Sequence, residues 1–157
     1  MAAPTSFRAL LLAGVLLANA PAAAELPPDV VAVAEHMALL GYQCEQRLES
    51  LQCRHPQHVN TNVRGVQGGT LLITYFATEE ASKAPARRLE VLELVNTMNA
   101  NSASVIFFID PEGDLGASTW FPGGYEKARF GQIIERWNLD LREALQRDPE
   151  RSRALIR

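Results

Sequence analysis

Three acidic side chains alternate in the stretch Phe108–Gly116, FIDPEGDLG: Asp110, Glu112 and Asp114. Alternating carboxylates are the material of a calcium loop, which gathers about six to eight oxygen ligands and closes on a bidentate acid. Two features oppose that chemistry here. Gly113 comes earlier than the glycine of the EF-hand pattern, and no closing glutamate follows before the chain turns apolar again. Pro-Glu-Gly between two β-rich runs is instead turn chemistry. Proline presets φ, Gly113 accepts positive φ, and the Asp110 carboxylate can hold the turn backbone. The stretch therefore reads as a hairpin turn, and no metal ligand is assigned to it.

The other reactive side chains are fewer. Cys53, His55 and His58 lie close together in CRHPQH. Zinc uses such ligands, but a fourth is missing, so the segment reads as a polar surface loop. No G-x-S-x-G, H-E-x-x-H or P-loop pattern occurs. The glycines of GVQGGT precede no helix and make a poor phosphate cradle. No catalytic residue and no cofactor is assigned, and an enzyme is not expected. Asn96 and Asn99, three apart in LVNTMNAN, sit on one side of a helix's last turn. They fit a helix-end role or a share in a binding surface.

Two cysteines, Cys44 and Cys53, flank EQRLESLQ. If Leu48 and Glu49 are a two-residue hairpin loop, Arg47 pairs with Ser50, and Cys44 faces Cys53 at a non-hydrogen-bonded position. Such pairs bring α-carbons to about 4.5 Å, within reach of a disulfide. Closing so short a loop is worth about 2–3 kcal/mol in the chain-entropy model. The alternative is two free thiols side by side.

The start of the chain bears on the redox question. Arg8 precedes the apolar run Ala9–Ala18, and small residues follow up to Ala24. This is the layout of a secretory leader over residues 1–24, with cleavage expected after Ala24 and a periplasmic or secreted product. The apolar run is too short to span a bilayer, and no later stretch is long enough. An oxidising compartment favours the Cys44–Cys53 pair. The remaining chain of about 130 residues is enough for one domain with its own core. It is mildly acidic and lacks a basic stripe with interleaved aromatics, so nucleic acid is not an expected partner.

These residues must be positioned by a small set of elements. Val30, Val33, Ala34, Met37 and Leu40 recur at helical spacing, which predicts a helix over 28–40 that stops at Gly41. The cysteine hairpin covers 42–55. PQHVNTNVRGVQGG reads as a polar loop, and TLLITYFA as a strand. A second helix is expected over 84–99. SVIFFID and DLGASTWF then read as strands either side of the acidic turn, and Pro122–Gly124 ends the second. The stripe Phe130, Ile133, Ile134, Trp137, Leu141 and Leu145 predicts a last helix over 125–146. Residues 149–157 read as a polar tail, leaving one domain over 25–148. The order α-β-β-β-α-β-β-α predicts an α+β fold: an antiparallel sheet with helices packed mainly on one face.

The segment LELVNTMNANSASVIFFIDPEGDLGASTWFPGG, with the later IIERWNLDL, resembles the YbjN family, whose members are described as bacterial sensory transduction regulators. The shared marks are the paired asparagines at a helix end, the D-x-x-G-D-L turn between strands, the Pro-Gly-Gly break and a tryptophan in the final helix. The resemblance is clear over 89–141 and weaker over 30–77. It implies a fold like that of type III secretion chaperones, which bind extended segments of client proteins, usually as homodimers, and it brings no catalytic residues. The expectation is an exported, non-enzymatic, chaperone-like binding protein with a protein or peptide partner, engaged by a sheet edge or an apolar helix face. The alternative is a small-ligand or metal sensor in the cell envelope, using the acidic turn and the His55/His58 loop. TLLITYFA and SVIFFID read first as core, and either could otherwise supply an apolar client or dimer surface.

Overall fold

A computed structural model of the protein describes residues 25–78 and 83–156; the expected leader, residues 1–24, lies outside the described residues. Among the described residues the order is α1 (Pro28–Leu39), β1 (Gln43–Arg47), β2 (Ser50–Arg54), β3 (Thr61–Val66), β4 (Gly69–Phe76), α2 (Pro85–Asn101), β5 (Ile106–Ile109), β6 (Leu115–Pro122), α3 (Lys127–Arg147) and α4 (Pro149–Leu155). The strands form one antiparallel sheet in the order β1-β2-β3-β4-β6-β5. The class is the expected α+β, with one strand and one short helix more than the sequence pattern indicated. No helix among the described residues is long and apolar enough to cross a membrane.

Local chemistry explains the boundaries. Pro28 opens α1, where its missing N–H costs nothing, and Asp29 sits at the positive end of the helix dipole. Gly41, at φ +92°, turns the chain into β1. The hairpin has the expected register, with Arg47 opposite Ser50 and Cys44 opposite Cys53. The two cysteines form a disulfide across a Cα–Cα distance of 4.0 Å.

Two expectations need correction. The segment read as a polar loop contains β3. Thr61 and Val63 point inward and are fully buried, while Asn62 and Arg64 face outward. Polar composition hid this alternation. The described part of the expected polar tail, residues 149–156, holds a short helix. Asp148 caps α4 by accepting from the Arg151 N–H, Leu155 is buried, and the Arg87 guanidinium donates to the Ala154 carbonyl. The domain therefore runs on through α4.

The core lies on one side of the sheet. Val30, Val33 and Met37 of α1, Leu94 and Met98 of α2, and Phe130, Ile134, Trp137 and Leu141 of α3 pack on Leu51, Val63, Leu72, Phe107, Ala117 and Phe121. Each fully buried side chain of this size contributes about 1.5–3 kcal/mol. Trp137 donates its indole N–H to Thr61 Oγ1 at 3.1 Å, giving the buried ring a polar partner on β3.

Candidate functional site

In the acidic stretch the carboxylates hold backbone. Asp110 Oδ1 accepts from the N–H groups of Gly113 and Asp114, both at 2.8 Å, and Gly113 sits at φ +100°. Asp114 Oδ1 accepts from the Thr78 N–H at 2.8 Å, and Thr78 Oγ1 donates to the Gly113 carbonyl at 2.8 Å. The β5–β6 turn is thus latched to the end of β4. Glu112 is exposed. Among the described residues no three His, Cys, Asp or Glu side chains come together as a metal site.

Asn99 has a different task from a helix cap. Its side-chain amide donates to the Phe107 carbonyl and accepts from the Phe107 N–H, at 2.9 and 2.8 Å. The amide behaves as a one-residue strand laid along the outer edge of β5. Asn96 is exposed on the same helix, and Asn101 caps that helix by donating to the Thr97 carbonyl.

The sequence reading missed Asp140. Its side chain is fully buried, and Oδ2 accepts from the Ala103 and Ser104 N–H groups and from the hydroxyls of Ser102 and Ser104. Arg136 pairs with Oδ1 at 2.5 Å. Burial pushes the carboxyl pKa up, but the Ser104 and Ser102 hydrogen bonds and Arg136 together outweigh it and hold it below the ordinary value. This residue fastens the α2–β5 loop to α3. An aspartate amid an apolar stripe (Trp137, Leu141) was the available signal.

Among the described residues the other face of the sheet is uncovered, and that face is divided. Across β4, β6 and β5, Tyr75, Gly116 and Phe108 form one row, and Ile73, Ser118 and Ile106 the next. Leu71 and Trp120 extend it. Ile106 is 65% exposed, Trp120 53% and Tyr75 48%. The rings lie down on glycines. A Cβ on Gly116 would stand 2.3 Å from the Phe108 ring, and one on Gly69 would meet Trp120 Nε1 at 2.7 Å. Phe108 and Tyr75 meet edge to face over Gly116, with centroids 6.2 Å apart. Towards β1 the face becomes polar, through Asn62 and Arg64, then Gln52 and Arg54, to Glu45 and Arg47.

The His55/His58 loop forms a second feature, in the helical layer. His55 Nδ1 accepts from the Gln57 and His58 N–H groups, so it holds the loop. The His55 ring packs on His58 and on Tyr42, at 4.4 and 4.8 Å between centroids. Tyr42 is buried and donates its hydroxyl to Asn138 Oδ1 at 3.0 Å. Burial raises the Tyr42 pKa, opposed by that hydrogen bond. Between this group, the end of α1 and α3 runs a cleft of about 470 Å³.

No curated protein matches the chain. A solved structure, "Crystal structure of YbjN, a putative transcription regulator from E. coli", superposes with a TM-score of 0.63 at 13% identity, over 83% of this chain and 96% of that one. At that identity the likeness is one of fold. The profile of the YbjN family, described as "putative bacterial sensory transduction regulator", matches residues 29–144, well over half of the chain and all six strands. The chain belongs to the YbjN family.

Proposed function

We propose that this protein is an exported, non-enzymatic binding module that takes a protein or peptide partner on the uncovered face of its sheet. The observation that carries the reading is the apolar half of that face, where Ile106, Trp120 and Tyr75 stand exposed beside Leu71, Ile73 and Phe108. A contiguous apolar surface rimmed by polar residues is the usual signature of a contact site. Aromatic rings held flat on glycines are rigid anchors that lose little rotamer freedom on binding. The polar rim through Arg64, Gln52 and Arg54 would set orientation. Export is supported by the leader pattern of residues 1–24 and by the Cys44–Cys53 disulfide, a bond that persists in oxidising compartments. The non-enzymatic reading is supported by the acids: Asp110, Asp114 and Asp140 all accept hydrogen bonds from backbone N–H groups that fix loops.

The test is affinity capture from cell-envelope extracts, comparing the wild type with the double variant I106E/W120E. An enriched partner that the double variant loses supports the reading. Capture that is equal in both, or no enriched partner at near-native expression, overturns it. Fractionation with N-terminal sequencing should find the mature chain beginning at Glu25 outside the cytoplasm; a cytoplasmic full-length chain removes the export half.

A further inference from the structure

One helical stripe of α3 lines the cleft beside His58: Glu135, Asn138, Leu139 and Arg142, spaced three and four apart. The opposite wall is Leu40, Tyr42 and His58. Asn138, Arg142 and the His58 ring line one part of the cleft together. Asn138 receives the Tyr42 hydroxyl on Oδ1, which leaves its amide N–H groups with no protein acceptor among the described residues. Arg142 has no ion-pair partner among the described residues, and its charge falls on the His58 ring. Leu40, Ile134 and Leu139 give the rest of the cleft an apolar lining. Glu135 stands two helical turns before Arg142, about 10 Å along the axis. It would repel an anion from the far end and leave the Arg142 end for it.

We infer that this cleft binds a small amphipathic anion, its carboxylate or phosphate held by Arg142, Asn138 and His58 and its apolar body against Leu40, Ile134 and Leu139. The volume suits a small ligand, and an apolar lining with a few converging polar groups is how such sites are built. A guanidinium is the usual partner of a carboxylate or phosphate. The site is in the helical layer, apart from the uncovered sheet face, so the inference stands independently of a partner there.

The groups around His58 also fix a pH dependence. His55 and Tyr42 press on it from the loop and β1 side, and Arg142 and Asn138 from α3. Burial, then His55 and Arg142, lower its pKa in the free protein. A bound anion favours the charged ring, so affinity rises as the pH falls.

The experiment titrates the purified protein with phenylacetate, phenylacetamide and acetate, followed by NMR of the Asn138 side-chain amide and the His58 ring. Phenylacetate is expected to give saturable shifts at both, with affinity at least about tenfold above that of the neutral amide and of acetate. R142Q, at an exposed position and checked for an unchanged melting temperature, should erase the preference for acid over amide. H58Q should keep binding near pH 8 and lose the gain towards pH 6. Shifts that do not saturate, equal affinity for acid and amide, or an unaltered preference in R142Q would overturn the site. Acetate binding as tightly as phenylacetate would overturn its amphipathic character.

Discussion

At the scale of single residues, the buried Asp140 carries a large local penalty if altered. D140N keeps the shape but removes the charge opposite Arg136 and disturbs four hydrogen bonds. It should lower unfolding stability by about 3 kcal/mol, read by urea titration. The pH dependence has a definite sign. Because the folded pKa lies below the ordinary 3.8, this stability is full above that value and is lost as the pH falls through the folded value. The wild type should therefore lose its advantage over D140N in acid; a constant gap down to pH 2 would contradict the assignment. Asn99 covers part of the β5 edge, so its removal bears on association as well as stability. N99A should cost about 1 kcal/mol and open the β5 edge to strand addition, seen as concentration-dependent association in sedimentation. Neither role was legible in the sequence. Apart from Arg136, one turn back on α3, the partners of Asp140 are 36 to 38 residues away, and those of Asn99 become apparent only once β5 is docked beside α2. Asp110 and Gly113 were legible because the contacts that decide their conformation lie within one turn.

At the scale of elements, the hairpin can be judged by its staple. The double variant C44S/C53S should lose about 2–3 kcal/mol, from loop-closure entropy over a separation of nine residues, with the fold retained. Calorimetry of both forms measures it, and a loss near zero would mean that the sheet register alone fixes the hairpin. Packing of the outer face depends on Gly116. G116A should displace the Phe108 ring and cost about 1–3 kcal/mol, with altered near-ultraviolet dichroism from the Tyr75–Phe108 pair. Helices α1 and α3 and the hairpin were readable because period and turn chemistry agree over several residues. Strand β3 was not, because Asn62, Arg64 and Gly65 resemble loop residues and only Thr61 and Val63 mark the inward face. Helix α4 was not, because its burial rests on Ser152 and Leu155 against α2 and α3, a tertiary matter.

At the scale of the molecule, the described helices cover one side of the sheet, and the proposed contact face lies on the other, away from the core. I106E/W120E should leave unfolding stability within about 0.5 kcal/mol of the wild type, since both side chains already face water. A much larger loss in thermal melts would mean that this face is covered in the native state. The uncovered face was the least legible feature of all. SVIFFID carries apolar residues on both of its sides, and in TLLITYFA the side with Thr70 and Thr74 is the one the helices cover, so the residues alone do not tell which side they take. The same alternation has an evolutionary consequence. Leu72, Phe107 and Ala117 face the interior, while their immediate neighbours Ile73, Ile106 and Ser118 face out. Point substitutions at the outward set can therefore diverge from one lineage to the next while the interior set stays fixed. A single-residue insertion in β4 or β6 would exchange the two sets and wreck both at once. Length variation among descendants of this chain should accordingly collect in its loops and spare these strands.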